Sequence, residues 1–150
     1  MFESAQIGSI KLRNRFLRSG THEGMAEPDG APAESLEQLY VRLAKGEVGA
    51  VITGYAGVMQ QGKSSFQGML MMHDDGLVPA YRRLVNAVHR AGAPIIMQLA
   101  HCGRQTRSAV TGRKTVAPSS LKDPFFTEER PLELTDSDVR QIIEAFSDAA

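Results

Sequence analysis

The chain has 150 residues, 42% hydrophobic and 23% charged, enough for one globular domain with a real core. Seventeen basic side chains balance seventeen acidic ones, which excludes a basic field for nucleic acid and an acidic solvating tail. No apolar run approaches the roughly 18 residues of a membrane span, the polar start MFESAQIGSIKLRNR is unlike a signal peptide, and a single cysteine, Cys102, rules out an internal disulfide and a CxxC metal pair. A soluble, cytoplasmic protein is expected, with neither nucleic acid nor membrane as partner.

Ile7, Ile10 and Leu12 around Gly8 and Ser9 predict a small hairpin. Phe16 and Leu17 predict a short strand running into polar RSGTHEG. Pro28, Gly30 and Pro32 mark a loop. A helix is expected from about Glu34, with Leu36, Leu39, Tyr40 and Leu43 at helical spacing and Gly46 as its stop. Residues 50–53 (AVIT) read as a continuous apolar strand that ends in Gly54 and Tyr55. A weakly patterned loop follows. Asp74 and Asp75 suit a helix N-terminus. The next helix carries Leu77, Tyr81, Leu84, Val85 and Val88 on one face and stops at Gly92. Residues 94–99 then form a buried strand leading into Gln98, His101 and Arg104. Residues 102–134 hold no long element, a length at which loops tend to be functional or to contain small pieces of structure. Thr135 and Asp138 form a Thr-x-x-Asp cap on a last helix with Val139, Ile142, Ile143 and Phe146 as its apolar face.

Strands alternating with helices predict an α/β fold with parallel strands joined by crossover helices. The last helix leads to no further strand, and three parallel strands leave open edges. The chain is therefore expected to be part of a longer architecture or a half-domain needing a partner. The alternative is a last helix that folds back and caps the sheet.

In a parallel sheet the polar strand ends at 19–22, 53–55 and 98–101 lie on one side, where open sheets and barrels bind ligands. The Gln98 amide offers both a donor and an acceptor, which suits the edge of a heterocycle; it could equally be satisfied by neighbouring backbone. His101 reads better as a structural hydrogen bonder than as a base, and Arg104 as an anion binder or an ion-pair partner. His22, His73, His89 and His101 show no ligand spacing, so no metal is expected. Met69, Met71 and Met72 read as gap-fillers in the core. Cys102 takes no role from standing beside a histidine. Gly57, Gly62, Lys63 and Ser64 match GxxxxGK[ST], but a phosphate loop needs a helix to begin there. The next helical pattern waits until about Asp74.

Several of these segments resemble one family. Residues 12–16 (LRNRF) resemble its LKNR segment before the first barrel strand, and residues 18–24 (RSGTHEG) its flavin-touching loop. Residues 49–54 (GAVITG), 87–92 (AVHRAG) and 98–104 (QLAHCGR, as QLxHxGR) follow in order, with counterparts also at 117–119 and 134–135. Together they resemble the old yellow enzyme family of FMN-dependent oxidoreductases. The resemblance implies a partial (βα)8 TIM barrel, with residues 1–150 as the N-terminal part of a single FMN-binding domain, about its first three βα units. It implies FMN as cofactor and NAD(P)H as reductant. The implied activity is of the ene-reductase type, with hydride passing through the flavin to an electron-poor alkene. The isolated chain is then expected to be incomplete and inactive, and the substrate a small molecule. Ser19, Gly20, Thr21, Tyr55 and Gln98 would line the cofactor, with Gln98 on its pyrimidine edge and His101 and Arg104 as supports. The catalytic proton donor would belong to other segments. Many family members carry proline at the position of Gly20, a departure here. The rival reading is a non-catalytic half-barrel that self-associates; a homo-oligomer is expected in either case.

Overall fold

An eight-residue strand forms the spine of the fold. In the computed structural model, which describes residues 1–125 and 129–150, β1 (Ala5–Ile7) and β2 (Ile10–Leu12) make the expected antiparallel hairpin. Then come β3 (Leu17–Arg18), α1 (Glu34–Lys45) and the spine itself, β4 (Ala50–Gly57). After β4 follow β5 (Leu70–Met71), α2 (Val78–Arg90) and β6 (Ile95–Ala100). The long segment beyond β6 contains small pieces, as expected: α3 (Ser108–Thr111), β7 (Val116–Ala117) and β8 (Leu132–Glu133). Its residues 126–128 lie outside the described part. The chain ends with α4 (Asp136–Asp148).

All strands paired to β4 run parallel to it. Val51 pairs with both Arg18 and Ile95, and Gly57 with both Met71 and Ala100. Thus β6 takes one edge of β4, while β3 and β5 share the other. The two-residue β5 was not foreseen; three parallel strands were expected and a fourth short one is present.

Helix α1 forms where Leu36, Tyr40 and Ala44 repeat every fourth residue, with Glu34 and Glu37 in its first turn and Arg42 and Lys45 in its last, matching the helix dipole. In α2, Pro79 sits in the first turn, where its missing N–H costs nothing, and Tyr81, Leu84 and Val88 face inward. Gly92 ends the approach to β6 at φ +93°, a conformation that favours glycine. These faces close over β4 and the buried Met69 and Met71, forming one core.

Two strand readings need correction. The spine does not end at Thr53 but continues to Gly57, with a bulge: Ile52 pairs with Ile96, yet Tyr55 pairs with Gln98. One extra residue in β4 is absorbed at Thr53 and Gly54. And β6, expected to be buried, is half-exposed, with Gln98 itself exposed. The reason is that β6 is an edge: among the described residues nothing pairs with its outer side.

Helix α4 begins with a full capping box. Thr135 Oγ1 accepts from the Asp138 N–H at 3.2 Å, and Asp138 accepts from the Thr135 N–H at 2.8 Å. None of its residues is buried, and Val139 and Ile143 are exposed. The helix therefore does not cap the sheet. Among the described residues no helix is long and apolar enough to cross a membrane.

Candidate functional site

The bulge decides what stands at the C-terminal end of the sheet. Strict alternation would turn Ile52 and Tyr55 to opposite faces of β4. The extra residue puts both on one face, so Tyr55 lies beside Gln98, its pairing partner. Thr53 seals the irregularity. Its hydroxyl accepts from the Gln98 N–H at 3.2 Å and donates to the Gly54 carbonyl at 2.7 Å.

The loop after β3 folds over this end. Gly20 is packed so closely that a Cβ there would lie 2.4 Å from Gln98 Oε1 and 2.9 Å from the Thr53 carbonyl oxygen. Among the described residues the Gln98 amide makes no side-chain hydrogen bond, so its donor and acceptor stand open beside the closely approaching Gly20 backbone. His22 stacks on Tyr55, with ring centroids 5.0 Å apart and planes at 21°, and its Nε2 lies 3.0 Å from the Gln67 carbonyl. Phe66 adds a third ring at 6.0 Å from His22. A cleft of 340 Å³ runs past Tyr55, Ser64, Phe66, Gln98, His101 and Cys102. Three of the five expected cofactor contacts are thus drawn together: Gly20 and Gln98 approach closely and Tyr55 flanks Gln98, while Ser19 and Thr21, on either side of Gly20, are both exposed. Ser19 is exposed, and its carbonyl accepts from the Arg18 guanidinium.

The loop is pinned from behind by residues that periodicity alone would assign to other duties. Arg18 Nη1 donates to Thr21 Oγ1 at 2.8 Å, and Arg18 Nη2 donates to Glu23 Oε1 at 2.9 Å. The same carboxylate oxygen accepts from the Tyr40 hydroxyl at 3.0 Å, and that hydroxyl accepts from the buried Gly54 N–H at 2.9 Å. The Glu23 side chain is only 7% exposed. Burial, with the Glu23 carboxylate nearby, pushes the Tyr40 phenol well above its ordinary range, so it stays a neutral donor. Tyr40 reads in the sequence as one more helix-face apolar residue. In the sequence, residues 18–24 read as a polar strand exit with no role for Glu23.

His101 and Arg104 make local contacts around the strand end, though the buried His101 Nε2 has no hydrogen-bond partner among the described residues. His101 Nδ1 accepts from the Gly103 N–H at 3.1 Å, its ring lies against Gly62, and burial holds its pKa below the ordinary histidine value. Arg104 pairs with the buried Asp123 at 3.6 Å and donates to the Leu121 carbonyl at 3.0 Å. Burial pushes the Cys102 thiol up, partly offset by Ser64, so it is protonated at neutral pH and a poor nucleophile. Among the described residues no three His, Cys, Asp or Glu side chains are placed to hold a metal.

Residues 57–64 do not form a phosphate loop. After β4 comes a single turn, Gln60–Gly62, and Lys63 is extended. The amides that would cradle a phosphate are engaged: Gly62 N–H with Met59, Lys63 N–H with Gln60 and Ser64 N–H with the Met69 sulfur. A larger hollow of 770 Å³ lies between α4 and the segments after β4 and β5, with an acidic lining that includes none of the expected contacts.

Comparison with known proteins agrees with this geometry. The NADH:flavin oxidoreductase / NADH oxidase family model matches residues 1–150. The chain is 37% identical over 150 residues to a metal reductase of Desulforamulus reducens, covering all of this chain and 22% of that protein. It is 34% identical over 151 residues to an NADH oxidase of Thermoanaerobacter brockii, covering all of this chain and 23% of that protein. Among solved structures, the old yellow enzyme homologue of Zymomonas mobilis superposes with a TM-score of 0.86 at 25% identity, over 99% of this chain and 43% of that one. The chain thus spans less than half the length of each of these relatives.

Proposed function

Because the chain belongs to the NADH:flavin oxidoreductase / NADH oxidase family, we propose that it is the N-terminal part of a single FMN-binding TIM-barrel domain and contributes the cofactor-facing end of its first strands. The whole protein is an NAD(P)H-dependent oxidoreductase of the ene-reductase type, acting on a small molecule and assembling as a homo-oligomer. The observation that carries this reading is the open Gln98 amide set beside the Gly20 backbone, where a Cβ would meet the amide oxygen.

The residues present fit the cofactor. Gln98 offers Nε2–H and Oε1 together, the pattern needed to hold the pyrimidine edge of an isoalloxazine. Gly20 leaves the backbone of Ser19 and Thr21 free to approach a flat ring, and Tyr55, on which His22 stacks, lines the cleft beside Gln98. FMN, when bound, supplies hydride exchange between a nicotinamide and an electron-poor alkene; the protein supplies orientation and electrostatics. The isolated 150 residues are expected to turn over no substrate, with the proton donor lying in other segments.

The test is an FMN titration of the full-length product of the natural reading frame, followed by flavin fluorescence. Gln98→Ala should weaken binding roughly tenfold, the loss of hydrogen bonds worth about 1–1.5 kcal/mol. Unchanged affinity would remove Gln98 from the site. A colourless wild-type protein that self-associates and takes up no FMN would favour the rival, a non-catalytic half-barrel that buries its open sheet edge in a second copy.

A further inference from the structure

We propose that Glu23, which touches neither the Gln98 amide nor the cleft, is the positioning residue that holds the Ser19, Gly20 and Thr21 backbone in its binding geometry. The inference rests on the reading of that backbone as a cofactor wall. Three strands of evidence meet at this carboxylate. First, Oε1 receives both the Arg18 guanidinium and the Tyr40 hydroxyl, at 2.9 and 3.0 Å. It therefore ties the loop to α1. Second, the other nitrogen of that guanidinium serves the Ser19 carbonyl and Thr21 Oγ1. Arg18 thus converts the position of Glu23 into the position of the two residues flanking Gly20. Third, Oε2 sits over Gly54, where a Cβ would come within 2.4 Å of it and 2.5 Å of the Thr21 carbonyl oxygen. The carboxylate thus rests directly on the bulge that turns Tyr55 toward Gln98.

The arrangement is directional. An exposed acid on a loop gains little from a single ion pair. This one is almost fully buried, is held by two donors, and acts on the loop through Arg18. Taking the charge off this side chain would weaken both of the charge-assisted hydrogen bonds that hold the loop. Removing the charge should loosen residues 19–24 locally and leave α2 and β6 as they are.

The experiment uses Glu23→Gln in the full-length protein, with Glu37→Gln as a control that makes the same charge change at the partly exposed ion pair with Arg83. Amide hydrogen exchange should speed at least tenfold in peptides covering residues 19–24, and not in those covering α2. FMN affinity should fall about tenfold, with an altered visible flavin band, while Glu37→Gln moves neither. Arg18→Lys, which keeps the charge but loses the planar fork, should reproduce the loosening and serves if Glu23→Gln does not fold. Unchanged exchange at 19–24 in the folded variants would overturn the inference, whatever happens to FMN. Faster exchange in a protein that never binds FMN would sustain Glu23 as the loop's anchor while refuting the cofactor reading of the site.

Discussion

Replacing Tyr40 with phenylalanine removes one oxygen from the centre of the network. Tyr40 is fully buried, and its hydroxyl has two duties: it accepts from the Gly54 N–H at 2.9 Å and donates to Glu23 Oε1 at 3.0 Å. Phenylalanine fills nearly the same volume, so the packing term is small. The polar term is not. A buried N–H left without an acceptor costs about 1–3 kcal/mol, and loss of a hydrogen bond to an ionised partner a further 1 kcal/mol or so, since Glu23 retains Arg18. The variant should therefore lose about 2–4 kcal/mol, a large share of the 5–15 kcal/mol typical of a domain. In urea unfolding followed by far-UV circular dichroism, the midpoint should drop by about 1–2 M with little change in slope. A loss below about 0.5 kcal/mol would mean that Gly54 finds another acceptor, and the account of the bulge as a sealed, load-sharing feature would be wrong.

The same two-state measurement tests the buried phenols against pH. Tyr40 and Tyr81 are both held well above the ordinary phenol range, chiefly by burial, and Tyr81 donates to the Met71 carbonyl at 2.8 Å. A group whose pKa is raised in the folded state contributes stability that is intact below its unfolded value and lost above it. Stability should hold up to about pH 9, then fall by about 1.4 kcal/mol per pH unit for each tyrosine above its unfolded pKa near 10. Tyr81→Phe should flatten that fall, and an equal slope in the variant would refute the assignment. Gly62→Ala would drive a Cβ to 2.5 Å from His101 Cδ2 and 2.8 Å from Cγ, displacing the ring that supports the end of β6. A cost of about 1–3 kcal/mol is expected; a change in unfolding free energy within about 0.3 kcal/mol by urea titration would show that the ring moves freely.

Much of the chain was legible residue by residue because its signals are local. Helix faces repeat within a few positions, so α1 and α2 follow from Leu36, Leu39, Tyr40 and Leu43 and from Tyr81, Leu84 and Val88. The α4 cap needs only Thr135 and Asp138, three residues apart, and both halves of the box form. The donor and acceptor that Gln98 offers were equally plain from its type, while their use was left open between a ligand and neighbouring backbone. Its exposure was not, because whether β6 is covered depends on pairing across its outer edge rather than on the residues of β6. The bulge was hidden for a similar reason: Gly54 reads as a strand end until register with β6 reveals that pairing resumes at Tyr55. Least visible of all was the Arg18, Glu23, Tyr40 and Gly54 network, whose members meet across 5, 17 and 14 positions of sequence. The sequence alone determined the order of elements, the helix faces and the residue type at the strand end, because each is a property of a few consecutive positions. Only the tertiary structure decided which face Tyr55 shares and what holds Gly20 against Gln98, because burial and register belong to elements brought together by folding.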